Sequence, residues 1–385
     1  MGWLWILETT VTSMKQQIVM VGPFPPPVHG LATTNAAVRD HLEALGAEIH
    51  TINTAASNLD RSWLARFGRL PSTLRGWVRL ATMRGLHHAT IYLSISGGLG
   101  QVYEAAFIAL ARLRGMRVFV RHASFAYIDE PTRLARILIA LTGSSAVHVT
   151  QSQGMADRLQ AIYGMPLVVP ISNAVLYPQG EITSVCVRRE LRVVGFFSNL
   201  SAEKGVFDFL DLMAAIDAEK LPLQAKLAGL YQDAQTERTV HTRLRNLHGA
   251  RYLGPVYGAD KEDFLSGIDV LIFPTRYKNE TEAKVNHEAM SHGIPVIAYG
   301  RGCIPEIIGP DCGMVIDPTE PFVPAALAQI KIWLDDPAAF EAASRAAAQR
   351  FAETSAQNER RWQQLLSDLT GNNEILIGRP LPKQD

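Results

Sequence analysis

Short apolar runs recur along this chain, each ending at a glycine, a proline or a polar turn, and helical stretches lie between them. "QIVMVG" (17–22), "EIHTIN" (48–53), "ATIYLSISGG" (89–98), "RVFVRH" (117–122), "AVHVT" (146–150) and "LVVPISN" (167–173) form a first set. Runs of this length and apolarity are what parallel strands need, because crossover helices cover both faces of a parallel sheet. "TNAAVRDHLEALG" (34–46) has helical spacing and stops at Gly46, and "YEAAFIALARLRG" (103–115) reads as another helix. A looser stretch with Pro178 and Gly180 follows at 174–190. The alternation then restarts with "RVVGFFS" (192–198), "QAKLAG" (224–229), "ARYLGPV" (250–256), "DVLIFPT" (269–275), "PVIAYG" (295–300) and "GMVID" (313–317). The pattern predicts an α/β protein with two Rossmann-like, doubly wound parallel-sheet domains facing a central cleft.

The expected boundaries are 15–175 and 176–355 for the two domains. Amphipathic stretches at 321–352 and 355–370 close the chain, and 356–385 is expected to hold a helix packing back on the first domain plus a polar tail. Residues 1–14 read as a poorly defined extension, apolar but with Glu8 and no basic start, so they make a poor signal peptide. With 385 residues, 47% hydrophobic and 19% charged, the chain can bury two cores and is not disordered. The formal net charge is zero, so nothing draws the whole chain to nucleic acid. Its distribution is uneven: residues 1–170 carry 15 Lys and Arg against 9 Asp and Glu, and the rest carry 22 against 28. Halves of opposite sign suggest domains with different partners. Three cysteines, Cys186, Cys303 and Cys312, have no metal-ligand spacing and fit a reduced cytoplasm. No apolar run reaches the roughly 20 residues of a spanning helix.

In open sheets of this kind ligands bind at the carboxyl ends of the strands, so the loops there carry the chemistry. After the 269–275 strand comes "RYKNETEAKVNHEAMSHGIPVIAYGRGCIPEII" (276–308). Glu280 and Glu288 lie eight residues apart, with Glu282 between them. "EAKVNHEAMSH" reads as a helix stopped by Gly293 and Pro295. Were 280–288 all helical, the two carboxylates would stand ~12 Å apart along the axis, too far for a close acid/base pair. With Glu280 on the loop, both can face the two ends of one elongated, hydroxyl-rich ligand, since a carboxylate accepts from two hydroxyls at once. A nucleotide sugar has that shape.

The spacing Glu280–x7–Glu288, then Ala-Met, Gly293-x-Pro-Val and "GCIPEIIG", resembles the carboxy-terminal motif of family-4 retaining glycosyltransferases, which have the GT-B architecture. The likeness spans roughly residues 16 to 370 and is strongest over 192–310. It implies that the first domain takes the acceptor and the second the donor, a UDP- or GDP-linked sugar used as substrate, with no further cofactor. It implies that Glu288 holds the donor ribose and that Glu280 lies beside the donor sugar. "SNLSAEKG" (198–205) would be the diphosphate loop, with Lys204 stabilising the departing phosphate and Asn199 and Gly205 assisting. Gly302, Cys303 and Ile304 would add donor contacts. His29, Gly30 and Leu31 stand where the family keeps a phosphate loop, and His122 where its histidine faces the donor sugar. The sequence departs from the family at Asn199, which replaces an Arg, and at Thr281 and Glu282, which replace a Gly-Phe pair; this leaves the donor sugar open. No Asp-x-Asp pair is present, so no metal is expected.

From Arg61 to Tyr103 there is no acidic residue, while Arg66, Arg69, Arg75 and Arg79 alternate with Trp and Leu. Such a helix suits an anionic membrane surface or simply packs on its domain. The first reading would make the protein peripheral on the inner membrane face, with a lipid-linked or glycan acceptor of envelope or exopolysaccharide assembly. Two other functions fit the same sequence. One is an inactive nucleotide-sugar-binding scaffold, the other a sugar-nucleotide epimerase.

Overall fold

The computed structural model describes residues 16–26, 28–55, 70–86, 88–177 and 187–371. Within them two six-stranded sheets form, and every strand pairing is parallel. The first comprises β1 (Gln17–Gly22), β2 (Glu48–Asn53), β3 (Thr90–Ile95), β4 (Arg117–His122), β5 (Val147–Thr150) and β6 (Val168–Pro170), in the order β2-β1-β3-β4-β5-β6. The second comprises β7 (Val193–Phe197), β8 (Gln224–Ala228), β9 (Ala250–Tyr252), β10 (Val270–Phe273), β11 (Val296–Tyr299) and β12 (Gly313–Ile316), in the order β12-β11-β10-β7-β8-β9. Each apolar run of the sequence is thus a strand, and each sheet has the predicted doubly wound form. Strand order reverses between β1 and β3 and between β7 and β10. The crevices that bind ligands in such sheets therefore open after β1 and after β7.

The strands are where expected because burial on two faces demands it: all six residues of β3 are buried, as are all four of β10. Helix boundaries moved where capping outweighed hydrophobic spacing. The helix Gly30–Ala44 begins four residues before the predicted stretch, because His29 Nδ1 accepts from Ala32 N at 3.4 Å and starts it early. The closing segment breaks at Asp336 rather than near 353. The Asp336 carboxylate accepts from Ala338 N and Ala339 N at 3.0 and 3.1 Å, and Pro337 occupies the first helical position, where its missing N–H costs nothing. The helix Pro337–Thr370 then runs unbroken.

That helix belongs to both halves. Ala347 and Phe351 pack in the second domain. Trp362, Leu365, Leu366 and Leu369 pack with Ile18, Met20, Val38, Leu42 and Phe119 of the first. His41 meets the Trp362 ring edge-on at 5.4 Å between centroids. The return helix fixes one end of the interdomain angle through apolar burial. Replacing Trp362 by Ala is expected to lower stability by roughly 3–5 kcal/mol, the usual cost of emptying a buried aromatic site. A shift in the urea midpoint measures it, and an unchanged midpoint would show that the helix end does not hold the first domain.

Candidate active site

The chain leaves β10 through Pro274 and Thr275 and forms a polar loop before the helix Lys284–Ser291. The predicted helix began at Glu282. It starts two residues later because Ala283 is left-handed, at φ 48°. Glu280 therefore stands on the loop and Glu288 in the second turn of the helix, the separation that the sequence reading expected.

Glu280 is buried and faces the diphosphate-loop candidate. Its Oε2 accepts from Lys204 Nζ and, at 3.3 Å, from Thr275 Oγ1. The same ammonium lies 4.6 Å from the Tyr277 ring centroid and 5.8 Å from that of Phe273. Lys204 and Glu280 thus form one charge pair, with side-chain exposures of 17% and 10%. Gly205 follows at φ 83° and caps the helix Val206–Ala218 without a side chain; Val206 N donates to Ser201 O at 3.3 Å, and the positive end of the helix lies beside Lys204. A Cβ there would stand 2.2 Å from Pro274 O, so only glycine lets this turn lie against the end of β10. Asn199 is half-buried in the same loop.

Glu288 Oε1 accepts from Lys261 Nζ and from the Tyr177 hydroxyl, each at 3.2 Å. Burial first, and the Glu288 charge second, push the Tyr177 phenol well above its usual range. It therefore stays protonated and orients the carboxylate. The strip Arg301–Cys303 lies on the Glu280 loop: Cys303 N donates to Thr281 O at 2.7 Å. Gly302 sits at φ 61°, and a Cβ on it would stand 2.4 Å from Thr281 O. The side chains of Cys303 and Ile304 point into the core, with the Cys303 Sγ 4.0 Å from Met155 Sδ. Of this strip only the backbone can meet a donor.

In the first domain the helix starting at Gly30 faces the second domain. Lys284 Nζ donates to Thr33 Oγ1 at 2.8 Å across the seam. Nothing lies within 4 Å of where a Gly30 Cβ would be, so the backbone here is open to close approach; Leu31 is half-exposed beside it. His122 is fully buried. Its Nδ1 bonds the Tyr127 hydroxyl and its Nε2 the His148 Nδ1, both at 2.9 Å. Neither ring nitrogen is turned to a ligand in this arrangement. Arg75 and Arg79 lie on the helix Leu70–Thr82, where Leu74 and Val78 are exposed between them and Trp77 packs inward on Tyr103 and Phe107. Arg79 donates to Thr51 O at 3.1 Å. Arg66 and Arg69 fall outside the described residues. No helix among the described residues is long and apolar enough to cross a membrane.

Sequence reasoning gave Glu282 no role beyond replacing a family residue, yet it is the most connected carboxylate here. Its Oε1 accepts from Ser172 Oγ and bonds His287 Nε2 at 2.9 Å; its Oε2 accepts from Asn173 N at 2.6 Å. It ties the Glu280 loop to the strand end where the chain leaves the first domain. A second seam contact was equally hidden: Glu306 accepts from Ser152 Oγ at 2.5 Å and Gly154 N at 3.1 Å, capping a first-domain helix. Asn279 and Arg301 complete the seam with Ser124 and Asp129. Gly97 permits the Asn279 contact, since its Cβ would stand 2.1 Å from Asn279 Oδ1. "SGGLG", read from sequence as a turn, is also a docking surface.

These two sheets and their crevices define a GT-B architecture. Residues 187–351 match the family model "Glycosyl transferases group 1". Sucrose-phosphate synthase from Thermosynechococcus elongatus is similar in fold, with a TM-score of 0.67 at 16% identity over 92% of this chain and all of that one. Anabaena HepE in complex with UDP superimposes with a TM-score of 0.62 at 18% identity, again over 92% and 100%. WaaG, a glycosyltransferase involved in lipopolysaccharide biosynthesis, gives 0.63 at 13% identity with the same coverage. No curated protein sequence matches the chain. Residues 187–351 are thus similar to a glycosyl transferases group 1 domain, within a chain that has the GT-B fold.

Burial holds the His148 pKa down at about 4, and burial with the neighbouring ring holds His122 well below 6.5. Both are neutral when folded, while the unfolded chain protonates them near 6.5. The unfolded state then binds more protons, so their stabilisation is present above about pH 6.5 and is lost as pH falls toward 4. For His148 alone this amounts to about 3 kcal/mol. Urea midpoints between pH 7 and pH 4 should fall more steeply in the native protein than in His148→Gln; equal slopes would mean that the pair titrates normally.

Proposed function

We propose that the chain is a retaining glycosyltransferase of the family-4 type. It would move a sugar from a UDP- or GDP-linked donor to an acceptor hydroxyl without a metal ion. The observation that carries this reading is the pairing of Glu280 with Lys204 on the loop after β10, with Glu288 held separately by Tyr177 and Lys261. Glu288 is the ribose acceptor and Glu280 lies beside the sugar. Lys204, now on Glu280, is placed to turn to the diphosphate as negative charge grows on it, assisted by the positive N-terminal end of the helix that Gly205 begins. Preorganised donors of this kind supply much of the barrier lowering in charge-separating reactions.

In the reaction the bond from the anomeric carbon to the donor phosphate oxygen breaks. A new bond forms from the acceptor oxygen to the same face of that carbon. The acceptor proton passes to the departing phosphate oxygen. His122, engaged at both nitrogens, supports the cleft wall by positioning Tyr127 and His148 rather than by taking that proton. The bound complexes of HepE with UDP and with UDP-glucose make a nucleotide sugar the natural donor to test first.

For the acceptor we infer a lipid-linked or polysaccharide precursor on the inner membrane face. The support is the exposed pair Leu74 and Val78 beside Arg75 on the outer side of the first domain. Replacing Arg66, Arg69, Arg75 and Arg79 together by Glu should abolish binding to anionic liposomes and slow transfer to a lipid-linked acceptor. Normal transfer without liposome binding would remove docking from the mechanism.

The donor reading is tested by thermal stabilisation with a panel of nucleotide sugars. A donor at ~100 times its Kd adds roughly 2.7 kcal/mol of stability. Glu288→Ala should lose that shift, and Lys204→Ala should keep most of it while lowering kcat by roughly 10²-fold or more. No shift with any nucleotide sugar would favour a scaffold instead, and conversion of the donor with no acceptor present would indicate an epimerase.

A further inference from the structure

Of the cations along the seam between the domains, four near the Glu288 helix are not held alike. Lys204 and Lys261 are each paired with a carboxylate. Lys284 and Arg121 are held by uncharged groups: Lys284 Nζ by the Thr33 hydroxyl at 2.8 Å and the Tyr177 ring at 6.0 Å to its centroid, and Arg121 Nη2 by the Asn173 side-chain carbonyl. Arg121 is only 3% exposed. A buried cation on a neutral acceptor keeps most of its desolvation cost.

The surroundings make this worse. Lys284 is the first residue of its own helix, and Thr33 lies in the first turns of the helix Gly30–Ala44. Helix N-termini are positive, so they favour anions and disfavour an ammonium. Neither helix has an acidic residue in its first turn to offset this. Burial pushes the Lys284 pKa down to about 8; Glu288 pulls the other way, and Lys261 and Arg121 add to the lowering. The Lys284–Thr33 contact joins two helix starts beside the crevice after β1, and Arg121 is close enough for its charge to act on Lys284.

We propose that Lys284 and Arg121 form an anion subsite across the domain seam that takes a phosphate group of the substrate. Lys284 and the Thr33 hydroxyl would contact the phosphate oxygens, and Arg121 would supply the field behind them. The phosphate belongs either to the nucleotide-sugar diphosphate or to a phosphorylated acceptor. Its carrier rests on the proposed transferase function; the anion site itself does not.

The test is calorimetric titration of inorganic pyrophosphate into the full chain, into Lys284→Met and into Thr33→Val. Binding to the native protein should weaken roughly tenfold or more in Lys284→Met, the usual loss for a charged hydrogen bond. The ligand-free thermal midpoint of Lys284→Met should hold or rise, because an uncompensated cation is gone. Absence of pyrophosphate binding to the native protein, or equal binding to Lys284→Met, overturns the proposal. So does an equal fall of the ligand-free midpoint in Lys284→Met and Thr33→Val with binding intact, which would make Lys284 a domain pin. UDP and GDP then locate the source. A matching loss for the nucleotide in Lys284→Met assigns the donor diphosphate. Pyrophosphate binding that persists on nucleotide-saturated protein, and still needs Lys284, assigns the acceptor. Lys284-dependent pyrophosphate binding with no affinity for any nucleotide sugar would leave this site standing and remove the transferase reading.

Discussion

The buried carboxylate of Glu282 governs the geometry of the whole cleft. A charged group 1% exposed is tolerable only if its oxygens are fully satisfied, and here Ser172, Asn173 and His287 do so. Two of those partners lie where the chain leaves the first domain, and the third is on the helix carrying Glu288. One side chain thus sets the distance between the crossover, the Glu280 loop and the donor helix. The next residue, Ala283, is left-handed, a conformation that costs an alanine roughly 1–2 kcal/mol and needs a rigid frame to persist.

With that frame in place, charge is distributed along the seam in a graded way. Lys204 is neutralised by Glu280 and cushioned by two aromatic faces; Lys261 is neutralised by Glu288. Lys284 and Arg121 have uncharged partners, and Lys284 lies at a positive helix end. Two of these cations are thus paired with carboxylates and two are hydrogen-bonded only to uncharged oxygens. The polar seam contacts of Glu306, Asn279 and Arg301 are small and solvent-bordered, unlike the apolar hold of the closing helix. The second fixes the domains near each other, and the first are of the kind that can open and close around a ligand.

Much of the fold was legible because parallel strands must be apolar on both faces. Runs such as "TIYLSI" and "VLIF" have no other way to be buried. The Glu280–Glu288 spacing was legible for a similar reason: a loop carboxylate followed by one in a glycine-stopped helix is a local pattern. Glu282 was not legible, because its partners Ser172 and Asn173 lie more than a hundred residues away. His122 looked available from its place at a strand end, and only packing showed Tyr127 and His148 taking both nitrogens. Cys303 and Ile304 looked like ligand contacts, and the left-handed Gly302 turns their side chains inward.

The sequence by itself determined the two doubly wound sheets and the loop and helix that carry Glu280 and Glu288. Each of these follows from local periodicity or short spacing, which act within a turn or a strand. The tertiary structure alone decided which charges meet: Lys204 with Glu280, Glu282 with the crossover, Lys284 with Thr33, and the return of Trp362 to the first domain. Electrostatic pairing and burial depend on distance in space, and residues far apart in the chain acquire that distance only when the two sheets close on one another.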